Sequence, residues 1–79
     1  MKRKITIVTP CYNEEPNVEP LYETIRDLMA RFPQYEYEHL YIDNASNDGT
    51  LAILRRLAAQ DHRVKVIVNA RNFGHIRSP

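Results

Sequence analysis

Three clusters of polar residues follow three short β-rich runs, and each mixes side chains that suit a nucleotide. The first is Thr9-Pro10-Cys11-Tyr12-Asn13-Glu14-Glu15, the second Asp43-Asn44-Ala45-Ser46-Asn47-Asp48-Gly49-Thr50, and the third Asn69-Ala70-Arg71-Asn72-Phe73-Gly74-His75. An aromatic ring stacks on a base. A carboxylate accepts from base N–H groups or ribose hydroxyls, and a guanidinium meets a diphosphate with a rigid fork of donors. Two common phosphate-binding solutions are missing: there is no Gly-x-Gly-x-x-Gly after the first run and no Gly-x-x-x-x-Gly-Lys-Ser/Thr anywhere. That argues against a dinucleotide site or a phosphate-loop ATPase. A crevice that grips a nucleotide mainly through base and ribose fits the residues better.

For these clusters to meet, the elements before them must end at one edge of a sheet. Ile5, Ile7 and Val8 form a first β-rich run that is expected to stop at Pro10. Val18, Leu21, Ile25, Leu28, Met29 and Phe32 recur at helical spacing and give one apolar face. Pro20 is expected in the first turn of that helix, where its missing N–H costs little. Pro33 is expected to close it, because the residue before a proline avoids the helical region. Residues 37–42 read as a second strand ending in Asp43, and residues 44–49 as a turn-rich link. Asp48 or Asn47 can cap a second helix carrying Leu51, Leu54, Leu57 and Ala58 on one side. Val64, Val66, Ile67 and Val68 make a third strand, and residues 69–79 read as a loop.

Strands alternating with helices predict βαβ units and a parallel sheet, whose ligands bind beyond the carboxyl ends of the strands. If each strand lies beside its predecessor, right-handed crossovers put both helices on one face. The other face is then bare, whereas parallel sheets are almost always covered on both. The segment is therefore expected to need further chain or a partner over its second face.

Bulk properties exclude several classes. The chain has 79 residues and a formal charge of +1, with 43% hydrophobic and 27% charged residues. That balance is ordinary for a soluble segment of one domain and lacks the basic excess of a nucleic-acid binder. Lys2, Arg3 and Lys4 read as a solvated start before a strand, since membrane anchoring usually takes four or more basic residues. No apolar run approaches the roughly 20 residues of a membrane span, and no signal peptide is visible. With one cysteine, no internal disulfide can form, which fits a reducing compartment.

The motifs resemble those of family 2 glycosyltransferases of the GT-A fold. Residues 7–15, Ile-Val-Thr-Pro-Cys-Tyr-Asn-Glu-Glu, are similar to that family's opening strand, which typically reads apolar strand, Pro, x, Tyr, Asn, Glu. Residues 41–50 resemble its second motif, usually Val-Asp-Asp-Gly-Ser-x-Asp-Gly-Thr. Arg71-Asn72-Phe73-Gly74 is similar to a short motif after its third strand, frequent in the branch that transfers sugars to polyprenyl phosphates. The resemblance covers nearly the whole chain. It implies residues 1–79 as the N-terminal nucleotide-sugar-binding portion of a glycosyltransferase domain, with a Rossmann-like three-stranded parallel βαβαβ segment that is incomplete alone.

Residue by residue, the resemblance implies that Pro10 and Tyr12 line the base pocket and that Glu14 lies near the ribose or base edge. It implies that Asp43 contacts the base and that Arg71 reaches the nucleotide or its diphosphate. Asn44 stands where the family usually has a second aspartate, so any ionic role there is removed. Ala45 replaces the usual glycine, which predicts a backbone without a forced positive φ. Asp48 is read as a helix cap.

The resemblance further implies a nucleoside-diphosphate sugar donor, most simply a UDP-sugar, and a polyprenyl phosphate or glycan acceptor. It also implies inversion at the sugar carbon and a divalent metal, magnesium or manganese, in the complete enzyme only. The family's metal-binding Asp-x-Asp and its catalytic base have no counterpart among these residues, so no catalytic or metal-ligating residue is assigned. The segment alone is expected to lack transferase activity. A cytoplasmic place at the inner face of the membrane, association through a C-terminal part and self-association belong to the same set of expectations.

Other residues have plainer readings. Cys11 reads as a small, partly buried loop residue, His39 as a strand-edge residue and His62 as a turn residue; only His75 falls near the cleft. Tyr35, Tyr37 and Tyr41 suit strand packing. Glu14 and Glu15 could also be a charge pair at a helix start. Asn44-Ala45-Ser46 matches a glycosylation acceptor pattern that is meaningless in a reducing compartment. Two rival functions remain at this level. One is a non-enzymatic module that pairs with another chain over its open sheet face. The other is a sugar nucleotidyltransferase, disfavoured because residues 10–15 contain no glycine and no basic residue.

Overall fold

Apolar residues at alternate positions are what a strand needs to bury one face, and three segments carry that pattern to different depths. The computed structural model describes residues 2–69. Its elements run β1 (Arg3–Cys11), α1 (Glu15–Ala30), β2 (Tyr35–Asp43), α2 (Thr50–Gln60) and β3 (Val64–Val68). The strands form one sheet in the order β1-β2-β3. Both pairings are parallel, with Cys11 opposite Asp43 and Asp43 opposite Val68. This is the parallel βαβαβ arrangement that the alternation predicts.

Odd-numbered residues of β1 and β2 and even-numbered residues of β3 face the helices. Cys11, His39, Tyr41, Asp43 and Val64 are buried, together with Val18 from α1 and Leu54 and Leu57 from α2. Because one strand face packs on both helices, both lie on the same side of the sheet. Leu21, Tyr22, Ile53, Ala58 and Val66 pack around this cluster. Full burial of a side chain such as Leu54 stabilises the fold by about 1.5–3 kcal/mol. The opposite face carries Thr6, Val8, Pro10, Leu40, Ile42 and Ile67, none of them buried. Val8 remains 53% and Ile67 49% exposed, so this face is uncovered among the described residues.

Several local expectations are revised. β1 does not stop at Pro10 but runs through it to Cys11. The Cys11 carbonyl accepts from the Asn44 N–H at 2.8 Å, so odd residues of β1 bond to β2. Position 10 then points its missing N–H away from β2, at an outer edge where proline is tolerated.

Helix α1 starts earlier than expected, with Pro16 in its first turn, and Pro20 lies in its interior. An interior proline forfeits a hydrogen bond to the preceding turn; the helix continues because Leu21 and Tyr22, just beyond, pack on the core. It ends at Ala30, where the Arg31 and Phe32 N–H groups bond to the Leu28 and Met29 carbonyls at 3.1 and 3.0 Å. That tightened turn is a common helix ending. Leu28 and Phe32 stay 45% and 41% exposed, so the apolar face expected of this helix is only partly covered among the described residues.

His39 is not at a sheet edge. It sits on the central strand, 1% exposed, stacked on Tyr41 at 4.0 Å between centroids. Its Nε2 lies 2.8 Å from the Thr9 hydroxyl. Burial pushes its pKa down, so the ring is held neutral. Tyr22 Oη donates to Asp61 Oδ2 at 2.8 Å and Arg56 pairs with Glu19 at 2.8 Å. Both contacts tie α1 to the α2 side of the fold.

Candidate functional site

A parallel sheet delivers all its strand ends to one edge, and here that edge is polar. Residue 12 follows β1 and residue 44 follows β2, directly after the paired residues Cys11 and Asp43. The Asn69 N–H donates to the Asp43 carbonyl at 2.8 Å and brings the end of β3 alongside. Pro10, Tyr12, Glu14, Asp43 and Asn44 are thus gathered at one end of the molecule. Arg71 and His75 lie outside the described residues, as does the rest of the third cluster apart from Asn69.

Tyr12 presents a ring that is 54% exposed, enough free surface for a planar partner. Asp43 is its opposite, with 1% exposure. Asp43 Oδ2 accepts from the Ser46 N–H at 3.2 Å, which folds the chain into a tight turn after β2. Among the described residues Asp43 Oδ1 has no hydrogen-bond partner. A buried acceptor left unused costs about 1–3 kcal/mol, so this oxygen calls for a donor from outside the described protein groups. Among the described residues His39 Nδ1 and Tyr41 Oη are also buried without partners, but they belong to mid-strand residues under the helices. Asn44 Oδ1 accepts from Asn69 Nδ2 at 3.2 Å, so the amide bridges the ends of β2 and β3. Glu14 Oε1 accepts from Asn17 Nδ2 at 3.0 Å within its own helix start.

Ala45 corrects an expectation. Its φ is +58°, the left-handed region, despite the absence of glycine. The turn demands it: the Asn44 N–H bonds to Cys11 on one side and the Ser46 N–H bonds to Asp43 on the other. Alanine bears the steric cost because those bonds over-determine the backbone. Asn13, at φ +52°, does the same in the first loop, where asparagine is better tolerated.

The two loops are joined by bonds that the residue types alone do not announce. The Asn13 N–H donates to Ser46 Oγ at 2.9 Å, and the Asn47 N–H donates to Asn13 Oδ1 at 2.9 Å. The Glu14 N–H donates to Thr50 Oγ1 at 2.9 Å, and the Gly49 N–H to Glu15 Oε1 at 2.9 Å. Asp48 does stand at the start of α2, accepting from the Thr50 N–H at 2.9 Å, although Gly49 occupies the N-cap position itself. The Thr50 hydroxyl also bonds to Asp48 and holds its carboxyl below the usual range. The signal for Glu15 was present as a helix-start charge; its target was not.

Cys11 is the last residue of β1 rather than a loop residue and is fully, not partly, buried; burial next to Asp43 raises its thiol pKa, which keeps it protonated and unreactive, as its plain reading expected. Metal binding does not fit these residues. Asp43 Oδ2 and both Asp48 oxygens are committed to N–H or hydroxyl donors. Among the described residues no group of three His, Cys, Asp or Glu side chains could hold an ion.

Comparison with known proteins agrees with the geometry. The family model described as "Glycosyl transferase family 2" matches residues 6–78. An uncharacterized glycosyltransferase, YkcC, of Bacillus subtilis (strain 168) is 39% identical over 70 residues, covering 89% of this chain and 21% of the relative. A bactoprenol glucosyl transferase of Shigella phage SfV is 38% identical over 71 residues, covering 90% and 23%. A dodecaprenyl-phosphate galacturonate synthase of Rhizobium johnstonii is 31% identical over 72 residues, covering 90% and 21%. The chain thus spans about a fifth of the length of the curated relatives it matches. No solved structure matches it significantly.

Proposed function

This chain belongs to glycosyl transferase family 2, and we propose that it forms the donor-binding front of an inverting glycosyltransferase that takes its sugar from a UDP-sugar. The observation that carries the reading is the pairing of a buried carboxylate having an unused oxygen, Asp43, with an exposed ring, Tyr12, at the carboxyl edge of a parallel sheet. A uracil base offers what both lack: a flat face for the ring and an N–H for the carboxylate. Pro10 forms the floor beside Tyr12, Glu14 and Asn44 line the ribose side, and Arg71 answers the diphosphate charge. An arginine meets such a group in a two-pronged contact.

The acceptor in this proposal is a polyprenyl phosphate or, as the second choice, a glycan. Support comes from relatives whose names specify bactoprenol and dodecaprenyl phosphate. In the transfer step an acceptor oxygen attacks the anomeric carbon as the bond to the nucleoside diphosphate breaks. This inverts the configuration in one displacement. The described residues contain no fitting metal set and no placed base for that step, so their part is to hold the nucleoside, and the segment alone is proposed to be inactive. No helix among the described residues is long and apolar enough to cross a membrane. Residence at the cytoplasmic membrane face is proposed to come from the acceptor and from further chain.

Calorimetric titration with UDP, GDP and their sugars, with and without manganese, tests the reading. UDP is expected to bind, and Tyr12→Ala and Asp43→Asn each to weaken it about tenfold, equivalent to about 1.4 kcal/mol. Unchanged affinity in both variants removes the base-pocket assignment, and tighter binding of GDP removes the uridine.

A further inference from the structure

Helices α1 and α2 both start at the carboxyl edge of the sheet, so their N-termini lie at the same end. Each start brings N–H groups without helical partners and a partial positive charge. Neither N-cap residue, Glu14 or Gly49, makes a side-chain capping bond to its own helix. Each helix instead takes partners from the other. The Glu14 and Glu15 N–H groups donate to Thr50 Oγ1 at 2.9 Å and Asp48 Oδ2 at 3.4 Å. In return, Glu15 Oε1 accepts from the Gly49 N–H at 2.9 Å. A second tier lies nearer the cleft, where Asn13 exchanges bonds with Ser46 and Asn47, both at 2.9 Å.

We propose that this reciprocal cross-cap is a positioning device: Asn13 and Glu15 touch no nucleotide, and act by holding Tyr12 and Asp43 at a fixed separation. The inference rests on the nucleoside-binding reading above. The connection is short and continuous. Tyr12 adjoins Asn13, Asn13 N–H bonds to Ser46 Oγ, and Ser46 N–H bonds to Asp43 Oδ2. Position 49 is restricted by the same device: a Cβ there would sit 2.7 Å from a Glu15 carboxylate oxygen and 2.8 Å from its carbon. The carboxylate would have to swing away and leave the Gly49 N–H. Two carboxylates, Glu15 and Asp48, take the Gly49 and Thr50 N–H groups at the start of α2, so those donors are not open to a diphosphate. The device therefore acts on recognition of the nucleoside part, and its loss should weaken uridine and UDP by the same factor.

The test uses the full chain with two readouts. Without ligand, Asn13→Ala should speed amide exchange at Asn47, and Gly49→Ala or Glu15→Ala at position 49, by about tenfold or more. The Tyr41 amide on the central strand should be unaffected, because local opening leaves the sheet closed. Glu15→Gln keeps an acceptor oxygen and should restore protection at Gly49. With ligand, well below each variant's melting point, Asn13→Ala should lower UDP affinity about fivefold in the parent. In the Tyr12→Ala background it should do almost nothing, as expected for residues that act through one another. Its effect on Tm should be equal in the two backgrounds. If the parent binds UDP and Tyr12→Ala weakens it, but Asn13→Ala and Glu15→Ala do not, the positioning role is wrong and the pocket stands. Additive losses in the two backgrounds also overturn it. A parent that binds neither UDP nor uridine overturns the nucleoside reading, and this inference falls with it.

Discussion

The two ends of the sheet are both polar but hold their polar groups differently. At the amino end a cleft of about 680 Å³ is lined by Lys4, Arg26, Tyr37, Glu38, Arg63 and Lys65, among others. Its polar contacts are made by long side chains in contact with water. Lys4 reaches Glu38 at 2.8 Å with 59% of its side chain exposed, Arg63 reaches Asp61 at 3.6 Å, and Arg63 also lies 5.4 Å over the Tyr37 ring. At the carboxyl end the contacts are made by short side chains, and their partners are mostly backbone N–H groups 33 to 36 residues away in the chain. Exposed ion pairs contribute little, because screening and side-chain entropy offset the attraction. Bonds that satisfy backbone donors across two loops order both loops together. The hollow at the amino end is therefore not the better-organised region, and volume alone does not mark organisation here.

Substitutions at the two ends put that contrast at risk. The largest effect is expected from Thr50→Val. Thr50 has 0% exposure, accepts from the Glu14 N–H and donates to Asp48. Losing both bonds should cost about 1–2 kcal/mol in urea unfolding. A smaller effect of opposite sign is expected from Ala45→Gly. Relief of a left-handed alanine, about 1–2 kcal/mol, exceeds the extra chain entropy of glycine, about 0.5–1 kcal/mol. The variant should therefore gain up to about 1 kcal/mol. The smallest belongs to the amino end: Lys4→Ala should leave Tm unchanged within error in a thermal melt at ordinary ionic strength. A loss as large as that of Thr50→Val would abolish the distinction between the ends.

Much of the framework could be read from residue types. Alternation of strands and helices predicted the parallel order, and the crossover rule predicted one bare face, where Val8 and Ile67 do remain exposed. Pro10, Tyr12, Glu14, Asp43 and Asn44 lie at or just beyond the adjoining ends of β1 and β2, whereas Arg71 falls outside the described residues. What could not be read is which loop atoms oppose one another. Glu15 looks like a helix-start charge in any linear reading, and only the side-by-side start of α2 gives it the Gly49 N–H. Ala45 misled because glycine is usual at positive φ, yet hydrogen bonds on both sides can impose that conformation on alanine. His39 was legible after all: residues 37, 39, 41 and 43 alternate, and His39 shares the face of the wholly buried Tyr41. Pro20 was misplaced because Pro16 already fills the first-turn position it was given.

The most direct test is to follow backbone amide signals of the isotope-labelled chain as UDP is added. The account predicts that the largest shifts fall at Tyr12, Asn13 and residues 44–46, while Lys4, Tyr37 and Arg63 at the opposite end stay still. Shifts concentrated around Lys4, Tyr37 and Arg63, with the carboxyl edge silent, would contradict it.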